Sequence, residues 1–212
     1  MSNQEDKESK AHWDEVYATK AVDAVSWFES SADDSLRFLQ KTGVDYSAAI
    51  IDIGAGASTF VDDLLLQGYN NVTLLDIAEQ ALLASKTRLG ARAGQVNWLV
   101  ADVTKVELAA HSIDIWHDRA VFHFLTSAND RKAYIKNMLH ALKANSHAII
   151  ATFAEDGPLK CSGLEIVRYS TSSLQAELGE SFALIASEKV LHHTPGGNVQ
   201  RFNYCYFCLA DA

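Results

Sequence analysis

Asp52, Gly54 and Gly56 sit together in the stretch AIIDIGAGASTF, Ala49 to Phe60. A strand that ends in G-x-G and feeds a helix lets a ligand approach the backbone closely and meet the N–H groups at the helix start. A dinucleotide fingerprint, G-x-G-x-x-G, needs a third glycine where Thr59 stands. A carboxylate inside the strand asks instead for a cationic or donor-rich group beside the turn. Asp76, in LLDI, can take both hydroxyls of a ribose, and Ile77 follows it. Asp102, in LVADVT, can accept from an exocyclic adenine amine while the Val103 backbone meets the ring edge. Three carboxylates at three successive strand ends match S-adenosyl-L-methionine, which carries an α-ammonium, a ribose and an adenine.

The elements that must position these residues are legible as alternating apolar runs and helical patterns. Strands are expected at Ala48–Ile53, Val72–Asp76, Val96–Val100, Ile113–His117 and His147–Phe153. Helices are expected at Thr59–Gln67, stopped by Gly68, at Ile77–Leu89, stopped by Gly90, and at Ala128–Leu142. Phe182–Leu191 and Gln200–Leu209 flank the turn HHTPGGN and should pair as an antiparallel hairpin, after a short helix through SSLQAELG. The fold class is α/β: a Rossmann-like seven-stranded sheet, mostly parallel, ending in a C-terminal antiparallel hairpin, with helices on both faces. Upstream, His12, Trp13, Val16 and Tyr17 share one helical face, and Leu36, Phe38 and Leu39 lie in a second helix closed near Gly43. A single domain spans 1–212, with an N-terminal helical segment over 1–44 and the core over 45–212.

With 18 Lys and Arg against 27 Asp and Glu, the formal net charge is −9, and such a field repels a polyanion, so a nucleic-acid substrate is disfavoured. No apolar run is long enough to span a bilayer, and the acidic start MSNQEDKESK differs from a secretory signal, so a cytoplasmic protein is expected. Cys205 and Cys208 have C-x-x-C spacing, but in a strand residues three apart point to opposite faces.

IIDIGAGAS, LLDI, VADV and IDIWHDRAVFHFL, in this order, resemble the successive motifs of the class I S-adenosylmethionine-dependent methyltransferases. IWHDRAVFHFL, with DRKAY downstream and the loop FAEDGPLKCSG, resembles the thiopurine and tellurite methyltransferase branch and the related protein-lysine methyltransferases. Where that family usually has a third glycine, this chain has Ser58. The resemblance implies a cofactor set of Asp52, Gly54, Gly56, Ser58, Asp76, Ile77, Asp102, Val103 and His117. It also implies an N-terminal lid carrying Trp13, Tyr17 and Trp27, although a helix packed on the sheet edge needs the same residues.

The same resemblance places His117, Asp118 and Arg119 at the methyl-transfer point. Asp118 is the first candidate for orienting or deprotonating an acceptor; its other role is an ion pair with Arg119 or Arg131. His117 either bonds the ligand, with a catalytic part, or turns inward as a packed strand residue. His192 and His193, with Arg201, are expected beside the acceptor. Adjacent histidines in an extended segment point apart, so no metal site is expected. The acceptor is a small-molecule thiol or metalloid, or a protein side chain, and the product is S-adenosyl-L-homocysteine. Two readings compete: an NAD(P)-dependent oxidoreductase, against which stand Thr59, Asp52 and the lack of a Y-x-x-x-K dyad, and a binding module that holds S-adenosylmethionine without turnover.

Overall fold

A computed structural model describes residues 3–210. Five strands, β1 (Ile50–Ile53), β2 (Val72–Asp76), β3 (Val96–Val100), β4 (Ile113–Arg119) and β5 (Leu142–Phe153), run parallel. A small antiparallel ladder of β6 (Lys160–Cys161) and β7 (Leu164–Glu165) follows, and the chain closes with the hairpin of β8 (Phe182–His193) and β9 (Val199–Leu209). The sheet order is β3-β2-β1-β4-β5-β9-β8, with β9 antiparallel to β5. This is the Rossmann-like sheet with a terminal hairpin that the patterning predicts.

Five strand ends differ from the sequence expectation: β1 begins at Ile50 rather than Ala48, β8 ends at His193 rather than Leu191, β9 begins at Val199 rather than Gln200, and the β4 end and β5 start also move. β4 runs on through Asp118 and Arg119, because both residues pair with β5 at Ile150 and Ala151. β5 begins at Leu142, where the helix before it ends and the backbone turns extended. That first residue pairs with Ile113 ahead of an irregularity in the ladder.

Among the described residues, six α-helices flank the sheet: α1 (Asn3–Thr19), α2 (Asp33–Thr42), α3 (Phe60–Gln67), α4 (Glu79–Leu89), α5 (Ala128–Ala141) and α6 (Thr171–Leu178). Ser127 caps α5 by accepting from the Asn129 N–H, and Ser170 forms a capping box with Ser173 at the start of α6. β1 is buried along its whole length, as expected for a central parallel strand covered on both faces. On one face, Phe38 and Leu39 of α2 and Phe60 and Leu64 of α3 pack on Ile50, Ile115 and Ile149. On the other, Tyr134 and Met138 of α5 and Leu174 of α6 pack on Ile51, Trp116 and Ile150. Cys205 belongs to the second face, while its neighbours Tyr204 and Tyr206 belong to the first. Among the described residues no helix is long and apolar enough to cross a membrane.

Candidate active site

At the C-terminal ends of β1, β2 and β3 lies a cavity of about 150 Å³, lined by Gly54, Asp76, Ile77, Asp102 and Val103 and closed by Trp13 and Tyr17 of α1. The glycine turn is required sterically. Gly54 and Gly56 have φ of 59° and 53°, and a Cβ would run into the Val121 side chain at the first and the Tyr17 hydroxyl at the second. The turn also holds Asp76, whose carboxylate accepts the N–H of Gly56 and of Ala78, each at 2.8 Å. Burial pushes Asp76 up to about 6 despite those two bonds. Asp76 also lines the cavity, where a carboxylate can accept from a pair of hydroxyls. Asp102 accepts the Thr104 N–H and hydroxyl at 2.9 and 2.7 Å.

A second hollow of about 50 Å³ adjoins the first, with Tyr17, Trp27, Gly54 and Arg119 lining both. Asp52, Ser58 and His117 form its floor, and Val22, Val25 and Glu29 roof it. Asp52 and His117 are lateral neighbours in the β1–β4 register, and the imidazole Nδ1–H donates to the Asp52 carboxylate at 2.6 Å. On its other side, Nε2 is hydrogen-bonded to the Ser35 hydroxyl at 2.9 Å. The carboxyl groups of Asp76 and Asp102 thus line the larger hollow and that of Asp52 lines the smaller one. Among the described residues, no group of three His, Cys, Asp or Glu could hold a metal ion.

Residues 51–150 match the family described as Methyltransferase domain. The chain is 24% identical over 158 residues to EEF1A lysine methyltransferase 2 of Homo sapiens, covering 68% of this chain and 67% of that protein. The Danio rerio protein of the same name is 25% identical over 158 residues, 68% of each chain. The methyltransferase domain over residues 51–150, together with these relatives, supports a class I S-adenosylmethionine-dependent methyltransferase. Its fold is shared with 1,6-didemethyltoxoflavin-N1-methyltransferase of Burkholderia thailandensis, solved with bound S-adenosylhomocysteine, at a TM-score of 0.70 and 18% identity over 98% of this chain and 87% of that one. A structure from work on echinomycin biosynthesis, where a disulfide is converted into a thioacetal, superposes at a TM-score of 0.77 with 17% identity, covering 95% and 91%.

Within this methyltransferase several sequence expectations need correction. Asp118 lines neither hollow. Its carboxylate is fully buried on the opposite face of β4, where it accepts the Val121 and Phe122 N–H groups and the Tyr134 hydroxyl, the last at 2.7 Å. Burial pushes it up to about 6. It forms no ion pair with Arg119 or Arg131, which pair instead with Glu29 and Glu177. His117 is 2% exposed with both ring nitrogens taken, so it has no free nitrogen with which to receive an acceptor's proton.

The hairpin residues are also displaced from their expected place. His193 is exposed and Arg201 pairs with Asp156; neither lines the hollows. His192 points the other way from His193 and is buried, donating from Nε2 to the Ser26 carbonyl at 2.7 Å with Nδ1 at 3.3 Å from Glu29. Alternation along β8 separates the two histidines onto opposite sides. Glu29 and Cys161 also line the hollows, a placement that sequence reasoning did not anticipate. Glu29 stands in an irregular segment without periodicity, and the Cys161 thiol, pushed up to about 12 by burial, is one small residue in a loop. Burial alone would raise Glu29, but His192 and Arg119 more than offset it and hold the carboxyl below its ordinary range.

Proposed function

We propose that the methyltransferase delivers its methyl group to the side-chain nitrogen of a lysine in a protein partner. The observation that carries this reading is the aromatic wall of the larger hollow around Trp27, the residue through which it adjoins the smaller one. The Trp13 ring lies 5.7 Å from Trp27 and 5.2 Å from Phe124, both edge-to-face, and Cys161 completes that wall as a neutral thiol. A lysine must react as the free amine, and deprotonating it at pH 7 from about 10.4 costs about 4–5 kcal/mol. Apolar walls disfavour the ammonium by desolvation, so the site supplies part of that energy without a dedicated base. Displacement at a sulfonium carbon then requires alignment and water exclusion. The net charge of −9 favours encounter with a basic protein surface, and the relatives named as lysine methyltransferases agree with a protein acceptor.

In this reading adenosine occupies the larger hollow, with its ribose on Asp76 and its adenine beside Asp102 and Val103. The methionine moiety occupies the smaller hollow, with its ammonium toward Asp52 and Gly54, Gly56 and Ser58 alongside. α1 and the segment after it, within residues 3–44, act as the lid; residues 1 and 2 of the expected 1–44 segment lie outside the described residues. Three cysteines without disulfides fit a reducing compartment, and we place the protein in the cytoplasm. The test is incubation with methyl-labelled S-adenosylmethionine and fractionated extract, followed by mass analysis of labelled peptides. Label on lysine supports the proposal; label confined to small molecules or to another side chain overturns it.

A further inference from the structure

Arg119 occupies a position that no ligand contact explains. It ends β4, lines both hollows, and its guanidinium is already committed inside the protein. Nη1 donates to the Trp27 carbonyl at 3.0 Å, Nη2 to the Glu29 carboxylate at 2.7 Å, and Nε to the Tyr204 hydroxyl at 3.1 Å. Beneath it, Cζ stands 4.8 Å from the centre of the Phe202 ring. The side chain is only 13% exposed, so the charge is desolvated and depends on these partners.

The segment it grips is held from two further directions. His192 on β8 donates to the Ser26 carbonyl, and the Thr59 hydroxyl, next to the glycine turn, donates to the Glu29 carbonyl at 3.1 Å. Residues 26–29 thus form a strap tied to β4, β8 and the start of α3. Trp27 and Phe28 of the strap line the smaller hollow, but of the four residues only Trp27 lines both hollows, and its indole packs edge-to-face on Trp13 and Tyr17.

We propose that Arg119 is a positioning residue for methyl transfer, fixing the Trp27 indole at the junction of the two hollows through the Trp27 carbonyl and the Glu29 carboxylate. The inference rests on the reading that the hollows hold S-adenosylmethionine. A planar fork suits this task, because one rigid group holds a main-chain carbonyl and a carboxylate two residues apart along the strap. A lysine keeps the charge but cannot hold that geometry, so Arg119→Lys removes positioning while leaving a cation in place.

The experiment is a double-mutant cycle in the full chain, read by calorimetry with S-adenosylhomocysteine, which needs no acceptor. Arg119→Lys weakens binding about tenfold in the wild-type background and by less than about twofold in a Trp27→Ala background, because the residue it positions is gone. Equal weakening in both backgrounds means that Arg119 meets the ligand itself or acts elsewhere, and overturns the proposal. So does a Trp27→Ala variant that binds like wild type. Should Arg119→Lys not fold by circular dichroism, Glu29→Gln replaces it in the cycle. That change weakens binding about threefold in the wild-type background and not in Trp27→Ala, with equal weakening in both again overturning the proposal. Failure of the wild-type chain to bind S-adenosylhomocysteine at all strikes the cofactor reading, an outcome visible before any variant is made.

Discussion

Asp76 and Asp118 are two buried carboxylates near the ends of parallel strands, both pushed up to about 6 by burial and both held by two backbone N–H groups. They differ in which way the strand aims them. Asp76 is the last residue of β2, and its donors come from the glycine turn and from the start of the next loop, so the carboxylate stays on the cavity wall. Asp118 lies one residue short of the end of β4, and its donors, with the Tyr134 hydroxyl of α5, close behind the sheet. Arg119, the next residue, takes the cavity side. A position near a strand end sets how deep a group lies in a wound α/β sheet, while strand parity decides which face it serves.

The comparison breaks most visibly at Asp76. Asp76→Ala should weaken S-adenosylhomocysteine binding by about tenfold to a hundredfold, since each charged hydrogen bond contributes about 1.5–3 kcal/mol. Asp118→Asn should leave the same dissociation constant within about threefold, as befits a group that lines neither hollow. Calorimetry at pH 7.5 on folded variants checks both, and equal losses would erase the distinction between the two faces.

A pH titration sharpens it further. Asp76 must be ionised to accept from two hydroxyls, so affinity should hold above about pH 6 and fall by up to about tenfold per unit below it. Asp76→Asn should bind more weakly at pH 7.5 but lose that slope. A wild-type affinity that is flat between pH 5 and pH 7, within about twofold, would detach Asp76 from the ligand.

Asp118 should report its raised value through stability instead. A carboxyl near 6 when folded and about 3.9 when unfolded stabilises the fold fully below about pH 4, and that contribution is lost as pH rises through about 6. Asp118→Asn lacks the titration. Its melting temperature relative to wild type should therefore rise by a few degrees between about pH 4 and pH 7. A constant difference across that range would show that Asp118 does not titrate as its burial dictates.

The smallest effects belong to the outer hairpin. Arg201→Ala removes an exposed pair with Asp156, and exposed pairs contribute about 0–1 kcal/mol, so cofactor affinity should stay within about twofold. His193→Ala should behave alike. A larger loss in either would return the hairpin end to the site.

Much of this protein was written in its sequence because the signals are local. The strand bounds of β2 and β3, the helix stopped at Gly68 and the closing hairpin follow from periods of 2.0 and 3.6 and from turn residues, which depend on neighbours within one element. The glycine turn was legible for the same reason: no side chain tolerates its backbone there. The face of Asp118, the inward turn of His192 and the grip of Arg119 on the strap were not legible. Each depends on which residue of one element meets which of another, as when Asp52 and His117, 65 positions apart, fall side by side. Residues 26–29 carry no periodic pattern, so only the packed sheet beneath them, through Arg119, Thr59 and His192, determines where Trp27 stands.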